Sequence, residues 1–517
     1  MTFEYMSIEL CSVSQKRLPN LKRRIFDALN GQLKGDDNES IPIPTVFDLF
    51  DFLGPEAQWD IEPPTFNYYR DLDLRTCLDE DEDSVATYDI DKVREILLLK
   101  RNEGRSSGQV ISKEDAEAID KEETLLLQYL AFSNRQRHMN SYRLKVLKSW
   151  TNLLLVMFES NEFQGSARVS FLLQALQAAL PSLESYGSDS PDEALELAKL
   201  AKMLLFKMDF SLTASDESSH TVGNLISDKL FQVFQICLQA IGKWAGNSEL
   251  RSIYYAICYR YLTGIVDKGS GFLPGRQKTI KSVQLYGERL LNVISDDAYG
   301  SDPQCQTAAL IVLGAFVNLG RAEEDPYVVN TLNKLNVIGV LVDSLKSVLQ
   351  EWLEIVQTNN LDHQLYWDAK LSLLLQLCQT RDGAKYVLHA NLFRSLEVSG
   401  LFSADPELEI DPANTVALEK HYTILVRVAR IIGAAILSRG SHNVVQGRRF
   451  LTDHRMLVMH VLKRSAGIGA GHMSRTLEDR VEELADAFMV LITATDFLEF
   501  EEQQAPVEKP RTPLLFH

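Results

Sequence analysis

From residue 142 onward the apolar residues of this chain recur every three or four positions, a period that suits one helical face and no strand. Leu144, Leu147, Leu154 and Phe158 set the pattern, and Val169, Leu172, Leu173, Leu176 and Leu180 repeat it. It returns in Phe231, Phe234, Cys237, Leu238 and Ile241, and again in Leu371, Leu374, Leu375 and Cys378. Alternation at period two never persists over a strand's length. The periodicity predicts an all-α fold. Helices that are apolar on one face must bury it on a neighbour, so successive helices are expected to stack. About fifteen to twenty helices are predicted, with their starts irregularly spaced, which argues against an array of identical repeats. The expected architecture is an irregular α-solenoid of the HEAT or armadillo kind, a superhelical stack.

Composition limits what such a stack does. A chain of 517 residues would ordinarily divide into about three or four domains, but a helical stack adds core with every layer and need not divide. Hydrophobic residues make up 45% and charged residues 24%, enough apolar material for a large core. A net charge of −18 argues against duplex DNA or an anionic membrane as the main partner, since both need a positive footprint. The six cysteines are scattered without a Cys-x-x-Cys pair and mostly at apolar helical positions, which predicts buried thiols in a reducing compartment, cytosol or nucleus. No signal-peptide pattern opens the chain, and no apolar run approaches the ~20 residues that span a bilayer. The most apolar helix, 424–437, carries Arg427 and Arg430. A soluble protein is expected, and its abrupt start predicts a fragment of something longer.

Five segments are expected along the chain. Residues 1–35 read as N-terminal helices of a truncated solenoid, broken near Pro19. Residues 36–88 form an acidic arm rich in proline and aromatics, with Pro42, Pro44, Pro55, Pro63 and Pro64 and an acid run at 79–83. Such a segment either packs its aromatics onto neighbouring helices or serves as a docking strip. Residues 89–141 read as a helix over about 89–103, a mobile Gly/Ser loop near 104–108, and a second helix from Ser112. Residues 142–502 form the continuous C-terminal solenoid, and 503–517 a disordered Pro-rich tail. Helix starts are marked at Ser190-Pro191, Asp302-Pro303, Asp325-Pro326, Asp405-Pro406 and Asp411-Pro412. There the short polar side chain caps free amides, and proline takes the first helical position, where its missing N–H costs nothing.

Reactive constellations are missing from the sequence. His454 and His460 lie six residues apart and so on opposite faces of one predicted helix, and no Cys/His cluster has ligand spacing. The run GSGFLPGRQKT at 269–279 lacks the spacing of a phosphate loop and is expected to be an ordinary loop, as is the Gly467, Gly469, Gly471 stretch. No nucleophile elbow is present. Neither a metal, a cofactor nor an enzymatic activity is expected. One basic stretch, with Arg439, Arg448, Arg449, Arg455, Lys463 and Arg464, reads as a solvated face or a set of internal salt links, with contact to an acidic partner as the alternative.

The last predicted helix points to a surface instead. At 100° per residue over 481–500, Val481, Leu484, Ala485, Phe488, Leu491, Ile492 and Leu498 gather on one face, and Glu482, Glu483, Asp486 and Glu501 on the other. Val490 and Phe497 project into the acidic side, with Met489 and Phe500 nearby. A terminal helix needs a polar outer face, so these residues are expected to be covered by the Pro-rich tail or by an incoming amphipathic helix. Phe497, Val490, Met489 and Phe500 are therefore the candidate partner-binding residues.

Several stretches carry a resemblance: 47–54 (FDLFDFLG), 142–150 (YRLKVLKSW), 251–264 (RSIYYAICYRYLTG), 428–443 (VARIIGAAILSRGSHN) and 446–469 (QGRRFLTDHRMLVMHVLKRSAGIG). Together with the Phe497 helix they resemble the C-terminal part of the largest inner-ring scaffold nucleoporins of the nuclear pore complex, in a fungal form. The resemblance implies a question-mark-like α-solenoid at the nuclear pore, a structural constituent that supports nucleocytoplasmic transport of protein and mRNA. It implies partners among the inner-ring nucleoporins, with the C-terminal tail docking a short helical segment of the inner-ring linker nucleoporin. It also implies no small-molecule substrate, no direct nucleic acid, and membrane only indirectly. On residues alone, a karyopherin-like transport receptor binding basic cargo on an acidic concave surface stands as the alternative.

Overall fold

A computed structural model describes residues 66–80, 85–106, 112–159, 166–185, 191–208, 220–243, 247–267, 273–403, 406–410, 414–467 and 475–504. The expected helices of 1–35, most of the 36–88 arm, the Asp411-Pro412 start and the Pro-rich tail lie outside these residues. The chain divides into two compact units, Met1–Leu204 and Leu205–His517.

The first unit is helical apart from one small hairpin that the sequence pattern did not anticipate. Strands β1 (Leu78–Glu80) and β2 (Ala86–Tyr88) pair antiparallel, with Asp79 opposite Thr87. The free edge of β2 is taken up by side chains. Asn134 exchanges two hydrogen bonds of 2.8 Å with the Tyr88 backbone, and Arg137 donates to the Ala86 carbonyl. Helix α1 (Ile90–Ser106) follows, and then α2 (Lys113–Glu159), a single helix of 47 residues. Ser112 caps α2, its hydroxyl accepting from the Asp115 N–H.

Two cores sit at the ends of α2. At the N-terminal end Tyr69, Cys77, Val93, Leu97, Ile119, Leu126 and Leu130 are buried together. Glu122 fixes the chain entering this core by accepting from the N–H groups of Tyr68 and Tyr69. This part of the arm therefore packs its aromatics onto neighbouring helices. At the other end Leu147, Trp150, Leu153, Leu154, Met157 and Phe158 are buried, where α2 meets α3 (Ser166–Ser185). Arg143 pairs with Glu193 of α4 (Pro191–Phe206). Between Leu130 and Leu147 no side chain of α2 is buried.

The second unit is a stack. Its helices are α5 (His220–Lys243), α6 (Ser248–Val266), α7 (Leu273–Gly300), α8 (Pro303–Ala322), α9 (Tyr327–Lys334), α10 (Val337–Ser344), α11 (Val348–Thr358), α12 (Leu361–Cys378), α13 (Arg381–His389) and α14 (Leu392–Ser399). A four-residue α15 (Pro406–Glu409) follows, then α16 (Thr415–Arg439), α17 (Val444–Asp453), α18 (Arg455–Ser465), α19 (Arg475–Ala494) and α20 (Phe497–Gln504). The spine runs α6, α8, α12, α16, α19, each packed on the next. This layer-upon-layer arrangement is the all-α solenoid expected from the periodicity. Each buried leucine, isoleucine or phenylalanine contributes about 1.5–3 kcal/mol through the apolar surface it withdraws from water.

Residue chemistry explains the boundaries. Asp302 accepts from the Cys305 N–H while Pro303 opens α8, as its Asp-Pro pair predicts. Other starts use caps without proline: Asn247, Asn360, Thr380 and Asn414 each accept from the amide three residues on. Asn336, Asn359 and Asn391 adopt left-handed backbone between helices, a conformation asparagine tolerates better than most residues.

Two expectations need correction. The stretch 269–279 is not a loop throughout, because α7 begins at Leu273; Pro274 sits in the first turn, where proline favours a helix. Likewise α8 and α16 are long and apolar enough to pass for membrane spans by composition alone. Their apolar windows are 61% and 67% buried inside the fold, which accounts for that character.

Candidate partner-docking surface at the C-terminal helices

The terminal surface is built on α16, α19 and α20. Leu477, Val481, Leu484, Phe488 and Leu491 of α19 are buried against the rest of the unit, as their spacing predicts. Met489 and Val490, on the other side of α19, are 49% and 45% exposed. Below them α16 presents Gly433. A Cβ built on that glycine would lie 3.7 Å from Val490 Cγ1, so the glycine leaves a notch and the valine seats against it. One turn further along α16, Leu437 is exposed. Arg430 of α16 reaches Glu483 of α19 at 3.4 Å, a rim charge pair beside the apolar strip.

At Phe497 the structure corrects the sequence reading. The wheel treats 481–500 as one helix, but α19 ends at Ala494 and α20 restarts at Phe497. Between them Asp496 is left-handed, with φ of 47°. That break rotates the last turns relative to a continuous helix. Phe497 turns inward to 6% exposure, while Leu498, assigned by the wheel to the buried face, is 63% exposed. The ring expected to stand uncovered is thus part of the core. A signal was available: Asp496 and Glu499 stand in the Asp-x-x-Glu spacing of a helix start, and the Phe500 N–H bonds to the Asp496 carbonyl.

The junction is tied down by the basic stretch. Arg448 donates from Nε to the Thr495 carbonyl at 2.7 Å and lies 4.8 Å from the Phe500 ring centroid. Phe500 in turn neighbours Phe497, with centroids 6.4 Å apart. Arg455 pairs with Glu501 at 3.2 Å, Arg449 with Asp453, and Arg464 with Glu407. Internal salt links therefore account for most of that basic run. His454 Nδ1 lies 3.0 Å from the Phe402 carbonyl. Among the described residues no group of three His, Cys, Asp or Glu side chains is placed to hold a metal ion.

What this surface offers is contact area and no reactive group. Comparison with known proteins gives it a setting. A family model described as the nuclear pore complex scaffold, nucleoporins 186/192/205, matches residues 1–495. The chain belongs to this nucleoporin family. It is similar to nucleoporin NUP192 of Chaetomium thermophilum, 49% identical over 586 aligned positions that cover 99% of this chain and 33% of the relative. The chain thus spans about a third of that relative's length. As a member of the Nup192 family it is a scaffold nucleoporin of the nuclear pore complex, at the nuclear envelope, and its family is structural.

Proposed function

We propose that this scaffold nucleoporin docks a short amphipathic helix of the inner-ring linker nucleoporin on the strip between α16 and α19, and so supports nucleocytoplasmic transport. The observation that carries the reading is the pair Met489 and Val490, side by side and half exposed over the notch at Gly433. Methionine adapts to varied apolar partners, and a glycine in the facing helix lets a partner side chain approach closely. Leu437 extends the strip along α16, and Phe500 borders the junction beyond it. Phe497 supports the surface from beneath and is a positioning residue in this reading.

The test is to mix the chain with a peptide spanning the linker's helical segment and follow the complex by size-exclusion chromatography and calorimetry. An anchor at an interface centre carries about 2 kcal/mol or more. The double variant Met489→Glu, Val490→Glu should therefore lose the complex while keeping helicity and melting temperature. Equal binding by the variant would refute this docking surface.

A further inference from the structure

The middle of α2 has a composition found in no other helix of this chain. Between Glu123 and Glu159 it contains no acidic residue, while Arg135, Arg137, Arg143, Lys145 and Lys148 all fall there, in a chain of net charge −18. Placed at 100° per residue, the helix separates into two sides. Ile119, Leu126, Leu130, Asn134 and Arg137 fall on one side, where the N-terminal core and the β2 edge lie. Leu125, Phe132 and Met139 fall on the opposite side, spaced seven residues apart. That spacing is the repeat by which two helices meet along a seam.

The seam faces outward. Leu125 is 51% and Met139 67% exposed, and Tyr142, one turn beyond Met139, is 49% exposed. Arg135 and Lys145, both exposed, flank it. The Tyr142 ring stacks on His138 at 6.3 Å between centroids, and the Lys145 ammonium lies 5.6 Å from its centre. A row of apolar side chains with cations beside it and no acid along its length matches one kind of occupant. We infer that this face of α2 pairs with an amphipathic helix of another protein whose flanking positions are acidic. A second copy of this chain would bring the same cations against themselves, and like charges along a helix seam oppose pairing. The surface is separate from the C-terminal strip, so the two readings stand or fall independently.

The test uses the full chain and a synthetic 21-residue amphipathic peptide, with leucine at seven-residue spacing and glutamate flanking it, followed by fluorescence anisotropy. Saturable binding is expected, weakening at least about tenfold in Met139→Asp and in the double variant Arg135→Glu, Lys145→Glu. These positions are exposed, and unchanged circular dichroism checks the fold. A peptide with lysine in place of glutamate should bind the charge-reversed variant better than the wild-type chain. Failure of the acidic peptide to bind would overturn the inference, as would equal binding of acidic and lysine peptides to the wild-type chain. So would binding of single-stranded RNA or anionic vesicles, lost in the same variants, in place of the peptide.

Discussion

Arg251 clamps Asp297 with two hydrogen bonds, Nε to Oδ2 at 2.6 Å and Nη2 to Oδ1 at 2.8 Å, in the buried seam between α6 and α7. Tyr255 and Ser301 donate to the same carboxylate at 2.5 and 2.7 Å. Burial works against its charge, yet the bonds from Arg251, Tyr255 and Ser301 hold the Asp297 carboxyl below its ordinary value. Removing one partner of such a pair strands the other charge. Asp297→Ala should therefore cost about 3–5 kcal/mol, read as a lower melting temperature. A depressed carboxylate contributes its stability above the ordinary carboxylate pKa and loses it as pH falls through the folded value. Accordingly, the wild-type advantage over the variant should shrink only in strong acid.

A second titration has a different window. His421 of α16 is buried, and its Nδ1 has no hydrogen-bond partner among the described residues. Burial lowers its pKa from 6.5 to about 4. Between those values the unfolded chain takes up a proton that the folded chain refuses, so stability declines as pH falls from 6.5 and levels off below 4. The decline from this residue is about 3 kcal/mol, at about 1.4 kcal/mol per pH unit. Urea unfolding at several pH values should show that slope, and His421→Leu should flatten it.

Phe497 is expected to behave as core. Phe497→Ala should destabilise by about 3 kcal/mol or more, through the cavity left beneath the α19–α20 junction. Val490→Glu should leave the melting curve in place. Thermal unfolding of the two variants separates a buried ring from a surface contact.

Glycines give a paired test. A Cβ at Gly383 would lie 2.2 Å from the Leu377 carbonyl oxygen and 2.6 Å from Thr380 Oγ1, in the capped start of α13. Gly383→Ala should destabilise by about 1–3 kcal/mol, because backbone must move. Gly242, near the end of α5, has open space around its Cβ position. Gly242→Ala should stabilise by about 0.5–1 kcal/mol by restricting the unfolded chain. Calorimetric melting of the pair checks both signs.

The stack itself was legible in the sequence because burial and helical period coincide. Leu371, Leu374 and Cys378 fall inside as their spacing predicts, and Asp302-Pro303 starts a helix where it should. What escaped was whatever depends on single residues changing backbone direction. The left-handed asparagines at 336, 359 and 391 carry no proline beside them, so the starts they set were not marked. Asp496 had the same effect with larger consequence, exchanging the expected exposures of Phe497 and Leu498. A helical wheel assumes an unbroken helix, and one residue of positive φ removes that assumption. The hairpin at 78–88 escaped because strands of three residues are too short for alternation to register.

The bare midsection of α2 has a mechanical consequence. Sixteen residues, about 24 Å of helix, join two rigid cores with no buried side chain between them. Flexing the rod there tears no packed interior and loads mainly its own ladder of peptide hydrogen bonds. In a ring scaffold under tension, that stretch is a leaf spring, and compliance is concentrated in one element while both mounts keep their shape.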